Sequence, residues 1–104
     1  MPTKFQQLVY AAARTIPRGR VTTYRLLAAH IGCASCRAVG QALKRNPYAP
    51  QVPCHRVIAS DGTPGGFQGR RSGAALRRKI RLLAAEGVRF RQGRLADPDR
   101  WHRF

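Results

Sequence analysis

The sequence predicts a single, mainly α-helical domain with a small β element, similar in layout to a winged helix-turn-helix. Apolar residues recur at helical spacing in four segments, and two of these segments are short and separated by a glycine-containing turn. The last segment is followed by a short stretch that turns at Gln92-Gly93. With 104 residues and 43% hydrophobic content, the chain suffices for one core, so we assign residues 1–104 to one domain.

The first segment has the pattern of an amphipathic helix. Thr3, with Gln6 three residues later, fits a capping box, in which each side chain accepts a hydrogen bond from the other residue's backbone N–H. The helix should end before Pro17, because proline lacks the N–H that continues a helix. Its apolar face, which we expect to pack in the core, is formed by Phe5, Leu8, Val9, Ala12 and Ile16.

Two short helices follow. Thr22 or Thr23 can cap the first of them, which Gly32 stops, and Ser35 can cap the second, which runs to about Arg45. The pair resembles a helix-turn-helix. Because many small helical domains contain such a pair, the pattern is weak alone, but the outward side of the second helix favours this interpretation. That side carries Arg37, Gln41, Lys44 and Arg45.

The amino-acid composition changes after the third helix. Prolines and glycines break up residues 46–69, where we expect loops and one short extended piece at residues 55–59. A fourth helix is predicted from about Ser72 to Gly87. Its apolar residues are interleaved with basic ones: Leu76, Ile80, Leu82 and Leu83 with Arg77, Arg78, Lys79 and Arg81. Residues 88–95 are typical of a small hairpin.

The charge balance points to a polyanionic partner. Twenty Lys and Arg oppose four acidic residues, for a formal net charge of +16. A basic surface that only keeps the protein soluble would need less charge, and acidic membranes rank well behind nucleic acid. No stretch approaches the roughly 18 apolar residues of a membrane span, and the N-terminus lacks a secretion pattern. We therefore expect a protein of the cytoplasm, nucleoid or nucleus that is neither secreted nor membrane-bound.

The three cysteines predict reduced thiols rather than a disulfide framework. Cys33 and Cys36 form a C-x-x-C pair, which in other contexts binds zinc or performs redox chemistry. No second pair of ligands follows at the necessary spacing, so we predict local packing for these two residues and no metal site.

The third cysteine has the most distinctive surroundings, Pro53-Cys54-His55-Arg56. A neighbouring base and positive charge favour the thiolate, which is the nucleophilic form of cysteine. Adjacent residues of an extended segment point to opposite faces, so His55 should reach the sulfur through a water molecule. The alternative is a buried structural cysteine beside a surface histidine.

Five motifs in order carry a family resemblance: Arg37 to Leu43 (RAVGQAL), Asn46-Pro47, Val52 to Ile58 (VPCHRVI), Gly65 to Phe67 (GGF), and Leu82 to Gly87 (LLAAEG). Over about residues 3 to 90, the chain resembles the C-terminal domain of the O6-alkylguanine-DNA alkyltransferases. The combination of PCHR with the upstream RAVG is highly specific. The resemblance implies a monomeric protein that grips duplex DNA containing O6-alkylguanine, flips the damaged base and moves its alkyl group irreversibly to a cysteine, without a cofactor.

The resemblance also implies the catalytic residues. Cys54 would be the alkyl acceptor and His55 its water-linked base. Glu86, the only glutamate of the chain, would orient His55, and Asn46 would brace the loop that carries the cysteine.

Further roles concern DNA. By resemblance, Arg37 takes the place of the extruded nucleotide and Tyr24 crowds the target phosphate; the alternatives are a phosphate-binding arginine and a core tyrosine. Thr23, Gln41, Lys44 and Arg45 complete the predicted DNA contacts. The predicted pocket for the flipped base consists of Pro53, Val57, Phe67 and Gln68.

Several features depart from the common form of the family. Phe67 replaces a tyrosine whose hydroxyl helps to bind the base, the segment 68–73 is longer and more basic, and the usual N-terminal domain has no counterpart. Single domains of this size also form a sister group, the alkyltransferase-like proteins, which bind the lesion and hand it to excision repair. Most of them carry tryptophan where this chain has Cys54. A non-catalytic lesion sensor is therefore the alternative function, and a plain basic nucleic-acid binder is the third.

Overall fold

A computed structural model describes residues 2–66 and 73–104 of the chain. Within these ranges lie four α-helices, α1 (Lys4–Arg14), α2 (Tyr24–His30), α3 (Cys36–Lys44) and α4 (Gly73–Ala85). Short strands are β1 (Thr22–Thr23), β2 (Val57–Ile58), β3 (Phe90–Arg91) and β4 (Arg94–Leu95), and single turns of 3-10 helix span Cys54–Arg56 and Pro98–Arg100. The predicted mainly α-helical domain with a small β element is confirmed.

Three helix starts follow local sequence chemistry. The predicted capping box is present, since Gln6 N donates to Thr3 Oγ1 at 3.1 Å and Thr3 N donates to Gln6 Oε1 at 2.9 Å. Of the two candidate caps for α2, Thr23 serves, accepting from the backbone of the third helical residue, and Ser35 does the same for α3. Such a cap typically contributes about 1 kcal/mol.

The core has two parts. The first joins α1, α2 and α3 through fully buried residues such as Val9, Ala13, Leu27 and Val39. The expectation that Leu8 packs in the core is wrong: the buried face of α1 is centred on Val9 and Ala13, and Leu8, beside it, is 55% exposed. Tyr10 ties α1 to α3, because its buried hydroxyl donates to Ala42 O at 2.7 Å. The second part lies between α4, the hairpin formed by β3 and β4, and the C-terminal segment (residues 96–104). It contains Val21, Ile58, Leu83 and Val88.

Strands β1 and β2 pair in parallel, with Thr22 opposite Val57 and Thr23 opposite Ile58. This pairing places the start of α2 beside the segment that follows Cys54. The expected extended piece at residues 55–59 is wrong at its beginning, because Arg56 N donates to Pro53 O and Val57 N to Cys54 O in a 3-10 turn. Successive side chains of such a turn are about 120° apart rather than on opposite faces, so neighbours can reach a common partner.

The predicted hairpin is confirmed. Strands β3 and β4 pair antiparallel, and Gln92 and Gly93 connect them with φ of 53° and 80°. Positive φ at both positions is the requirement of a type I′ turn. The C-terminal segment then returns to the core, where Trp101 forms a parallel bridge with Val21. Among the described residues, no helix is long and apolar enough to cross a membrane.

Candidate functional site

Cys54 opens the 3-10 turn between the loop that follows α3 and strand β2. Its thiol is free and half-buried, and it packs against the first core cluster. Its backbone N–H donates to Val52 O at 2.9 Å, which tightens the chain just before the turn. The sulfur therefore lies at the edge of the core, on a backbone that this hydrogen bond fixes in position.

Asn46 lies under this loop. Its Nδ2 donates to Val52 O at 2.9 Å, and its Oδ1 accepts from Tyr48 N at 2.9 Å. Both ends of one amide thus bond to the backbone of the loop that leads to the cysteine. This is the place that a bracing residue would occupy.

A hydrogen-bonded cluster follows the cysteine directly. His55 Nε2 lies 2.9 Å from Glu86 Oε2, and Arg56 binds the same carboxylate with Nε and Nη2, each at 2.9 Å. Arg56 Nη1 also donates to Ile16 O at 2.8 Å, and Gly19 N approaches Glu86 Oε1 at 3.4 Å. Only 6% of the His55 side chain and 8% of the Glu86 side chain are exposed, so water competes little for these bonds.

The protonation states of the pair follow from these contacts. Burial raises the pKa of Glu86, but the hydrogen bonds from Arg56 and His55 outweigh it and lower the pKa to about 2. Burial lowers the pKa of His55, and this effect exceeds the opposing influence of Glu86. At neutral pH a neutral His55 therefore faces an ionised Glu86. Nε2 must then carry the proton, which leaves Nδ1 free to accept one.

The alternative interpretation of this motif, a buried structural cysteine beside a surface histidine, does not describe His55. His55 is 4% exposed and bonded to a carboxylate 31 residues away in sequence. The structure brings together His55 and Glu86, as the resemblance implied, and adds Arg56, which the sequence suggested only as a positive charge beside the thiol and not as a partner of Glu86. The 3-10 turn explains this arrangement, since it lets both His55 and Arg56 reach Glu86.

Sequence reasoning also missed Lys79, which it named only as one of the basic residues interleaved with the apolar residues of the fourth helix. The side chain is fully buried, and its Nζ donates to Val57 O at 2.7 Å and to Gly66 O at 2.9 Å. Burial lowers the pKa of Lys79 to about 7, while the nearby Cys54 raises it. A helical face was visible in the spacing of Leu76, Lys79 and Leu83, and it marks this lysine as inward.

Tyr24 and Thr23 lie at the start of α2. Tyr24 is half-buried against the first core cluster, and its hydroxyl lies 3.3 Å from Gly66 O and 3.5 Å from Lys79 Nζ. Thr23 is buried, and its hydroxyl accepts the capping bond from Leu26 N. Its side chain is therefore occupied within the fold.

The remaining predicted DNA contacts lie on α3. Arg37 is the second residue of the helix, and Gln41, Lys44 and Arg45 follow at the spacing of one helical face. All four are exposed. The structure thus presents a continuous basic and polar face, with no acidic residue on α3 itself.

The predicted base pocket is only partly described. Pro53 and Val57 are both buried, and the Val57 carbonyl is an acceptor for Lys79. Phe67 and Gln68 lie outside the described residues, as does most of the longer basic segment. The Cys33 sulfur accepts from Ser35 N at 3.4 Å, in keeping with a local role, and Cys36 is exposed. No cluster of three metal-ligating side chains occurs within residues 2–66 and 73–104.

Comparison with known proteins decides the family. The model for the 6-O-methylguanine DNA methyltransferase, DNA binding domain, matches residues 4–88. The chain belongs to this family. A methylated-DNA--protein-cysteine methyltransferase of Methanothermobacter thermautotrophicus is 45% identical over 86 residues, which are 83% of this chain and 46% of that protein. A Salmonella typhimurium protein of the same name is 45% identical over 86 residues, 82% of this chain and 47% of its own length. The chain spans about half the length of these curated relatives.

Solved structures of the family show the same fold. The chain aligns with Mycobacterium tuberculosis OGT in complex with DNA with a TM-score of 0.74 and 42% identity, over 83% of this chain and 51% of that one. It aligns with S. pombe Atl1, in complex with damaged DNA containing O6-carboxymethylguanine, with a TM-score of 0.84 and 34% identity over 100% of both chains.

Proposed function

We propose that this protein binds duplex DNA containing O6-alkylguanine, extrudes the damaged base and transfers its alkyl group to Cys54. One observation carries the proposal: a free thiol stands directly before a buried histidine whose Nε2 is engaged by an ionised glutamate. This arrangement leaves the other ring nitrogen as a proton acceptor on the residue that directly follows the nucleophile in the chain. Membership of the methyltransferase family supports the same chemistry.

The transfer balances without a cofactor. The Cys54 sulfur forms a bond to the alkyl carbon while the bond between that carbon and guanine O6 breaks. The thiol proton passes through water to His55, the departing guanine takes a proton from water, and His55 then returns its proton to the hydroxide that forms, so that unmodified guanine and a thioether remain. Glu86 stabilises the imidazolium that forms. A thioether has no ready leaving path, so each molecule acts once.

The exposed face of α3 supports the DNA-binding part of the proposal. Arg37 lies at the start of this helix, where its side chain is free to enter the space left by an extruded nucleotide. Extrusion costs a few kcal/mol, which contacts of this kind must supply. Relatives solved with DNA include OGT and Atl1.

The DNA product tests the proposal. A duplex with a single O6-methylguanine is incubated with excess protein, digested to nucleosides and separated by chromatography. We expect O6-methylguanine to disappear and guanine to appear in equal amount, and we expect no conversion by Cys54→Ser. Persistence of the lesion with a folded, reduced protein would reject alkyl transfer.

A lesion sensor is the second candidate, and one observation favours it. The alignment with Atl1 extends over the whole of both chains, whereas the methyltransferases are matched over about half their length. A sensor would bind the O6-methylguanine duplex more tightly than the undamaged one, leave the lesion in place and require an excision-repair partner. The nucleoside assay separates the two candidates, because only the transferase changes the DNA.

A further inference from the structure

A second concave feature lies between α2 and the C-terminal segment. It is a cleft of about 610 Å³. Its lining includes Leu26, His30, Ser60, Trp101, Arg103 and Phe104. None of these residues belongs to the cluster around Cys54, and the proposed alkyl transfer uses none of them.

The C-terminal wall of the cleft is held in position by the backbone. Val21 N donates to Arg100 O at 2.8 Å, and His102 N donates to Val21 O at 2.6 Å. These bonds add the segment around Trp101 to the chain just before β1. The aromatic residues of the segment are therefore presented on a defined backbone.

Aromatic rings dominate this wall. The ring of Phe104 is stacked on His30 at 4.3 Å between centroids and 13° between planes, while His102 meets Phe104 edge-on at 4.8 Å. Phe104 and Leu26 nevertheless remain 41% exposed. A flat apolar surface is thus open to a ligand, although the rings already contact one another.

The polar groups of the cleft indicate what such a ligand carries. Arg103 supplies a cation and Ser60 a hydroxyl, and among the described lining residues none has an acidic side chain. The chain as a whole has a formal net charge of +16. Aromatic surface combined with positive charge is the chemistry by which proteins hold single-stranded nucleic acid, stacking the bases and attracting the phosphates.

We propose that this cleft is a second nucleotide-binding site, which accepts an unpaired base of a DNA strand against Phe104 and Trp101 while Arg103 faces its phosphate. The location fits this role, because the cleft adjoins the start of α2, where DNA contacts are predicted for Thr23 and Tyr24. Thr23, which also lines the cleft, immediately precedes Tyr24, and Ser60 follows strand β2 by two residues. The site depends on DNA binding by the chain, but it does not depend on chemistry at Cys54.

The single tryptophan of the chain makes the proposal directly testable, because Trp101 lines the cleft. The full-length protein is titrated with a tetramer of deoxyadenosine nucleotides, and Trp101 fluorescence is followed. Stacking should quench the emission saturably. Phe104→Ala, which removes a partly exposed side chain, should weaken the affinity by roughly 5- to 150-fold, the range typical of a lost base–aromatic stack.

A charge-matched pair of variants separates the cleft from general electrostatics. Leu26→Glu places a carboxylate in the cleft, whereas Leu8→Glu makes the same change at an exposed position of α1 outside it. Leu26→Glu should reduce tetramer affinity at least as much as Phe104→Ala, and Leu8→Glu should have a much smaller effect. Equal losses, or unquenched emission when anisotropy shows the labelled tetramer bound, would overturn the proposal.

Two further outcomes complete the test. Saturable quenching by an acidic leucine-containing peptide, with none by the tetramer, would assign the cleft to a protein partner and overturn the proposal. Phe104→Ala should still convert O6-methylguanine to guanine when DNA is saturating. Because the tetramer contains no lesion, failure of alkyl transfer leaves the fluorescence result unaffected, and the two proposals can fail separately.

Discussion

At the scale of single residues, His55 is subject to two opposing effects. Burial disfavours its charged form, while the ionised Glu86 favours it, and burial prevails so that the pKa is lowered from 6.5. A neutral imidazole with one nitrogen occupied is suited to receive a proton from a nearby thiol. The same contacts make the carboxylate a shared partner of His55 and Arg56.

The pH dependence of alkyl transfer should reveal this state of His55. A base with a lowered pKa is protonated only in more acidic solution, so the transfer rate should decline as the pH falls and reach half its maximum below pH 6.5. The measurement is a single-turnover rate at saturating O6-methylguanine duplex. A half-maximal rate at or above pH 6.5 would mean that His55 is not the base or is not shielded as described.

Glu86→Gln should affect both rate and stability. It removes the charge that stabilises the imidazolium, so transfer should slow by on the order of 100-fold, within the range that a positioned base contributes. It also leaves the Arg56 guanidinium without a counter-ion, and we expect the free energy of unfolding to fall by about 3 kcal/mol.

Asp99→Asn is the matched control for this substitution, because it removes one carboxylate charge from an exposed position of the C-terminal segment. Urea unfolding and the single-turnover rate are measured for both variants. If Glu86→Gln folds and transfers at the rate of Asp99→Asn, the proposed role of Glu86 is wrong.

At the scale of elements, local sequence chemistry was enough to locate most helix starts. Thr3 and Gln6 lie three residues apart and cap one another, and Ser35 bonds to Ala38, so neighbouring residues determined both helix starts. The cluster around Glu86 is different, because its partners lie 30 and 31 residues away in the chain. Only the family resemblance pointed to His55 and Glu86 together, and the local pattern suggested Arg56 as a positive charge beside the thiol but not as a partner of Glu86.

Lys79 shows a related limit of sequence reasoning. Its charge argued for the surface, but the long side chain reaches two backbone carbonyls, Val57 O and Gly66 O, and donates a hydrogen bond to each. These two hydrogen bonds compensate for removing the lysine from water, although lysine side chains are usually exposed. Only the tertiary structure shows that these two carbonyls lie within reach of Lys79.

Helix α3 carries a prediction of its own. Arg37→Ala should reduce base extrusion and the preference for lesion-containing duplex more than Arg91→Ala does. Both side chains are exposed and both variants lose one positive charge, so general attraction to DNA should decrease equally. Extrusion is followed with a fluorescent base analogue next to the lesion. Equal losses would make Arg37 a phosphate contact only.

At the scale of the whole molecule, charge is the dominant property. The chain has twenty basic residues against four acidic ones, and α3, α4 and the C-terminal segment all expose arginine. Such a surface attracts phosphates over its whole extent, whereas the lesion recognition that we propose rests on the few residues around Cys54 and Arg37. Affinity and specificity should therefore respond differently to solution conditions.

Salt should separate these contributions. For about six to ten phosphate contacts, affinity for undamaged duplex should decrease by roughly 10³ to 10⁵ between 50 and 200 mM salt, because bound counterions are released on complex formation. Fluorescence anisotropy with labelled duplex measures this dependence. A flat response would contradict the assignment of DNA as the partner.

The central claim concerns a single atom, the Cys54 sulfur, and intact-mass spectrometry of the protein tests it most directly. After incubation with excess O6-methylguanine duplex under reducing conditions, the chain should gain the mass of one CH₂ and no more, and peptide mapping should place it on Cys54. Cys33 and Cys36 should remain unmodified, and Cys54→Ser should gain nothing while still binding the lesion. An unchanged mass for a protein that binds the lesion with a reduced Cys54 would contradict alkyl transfer.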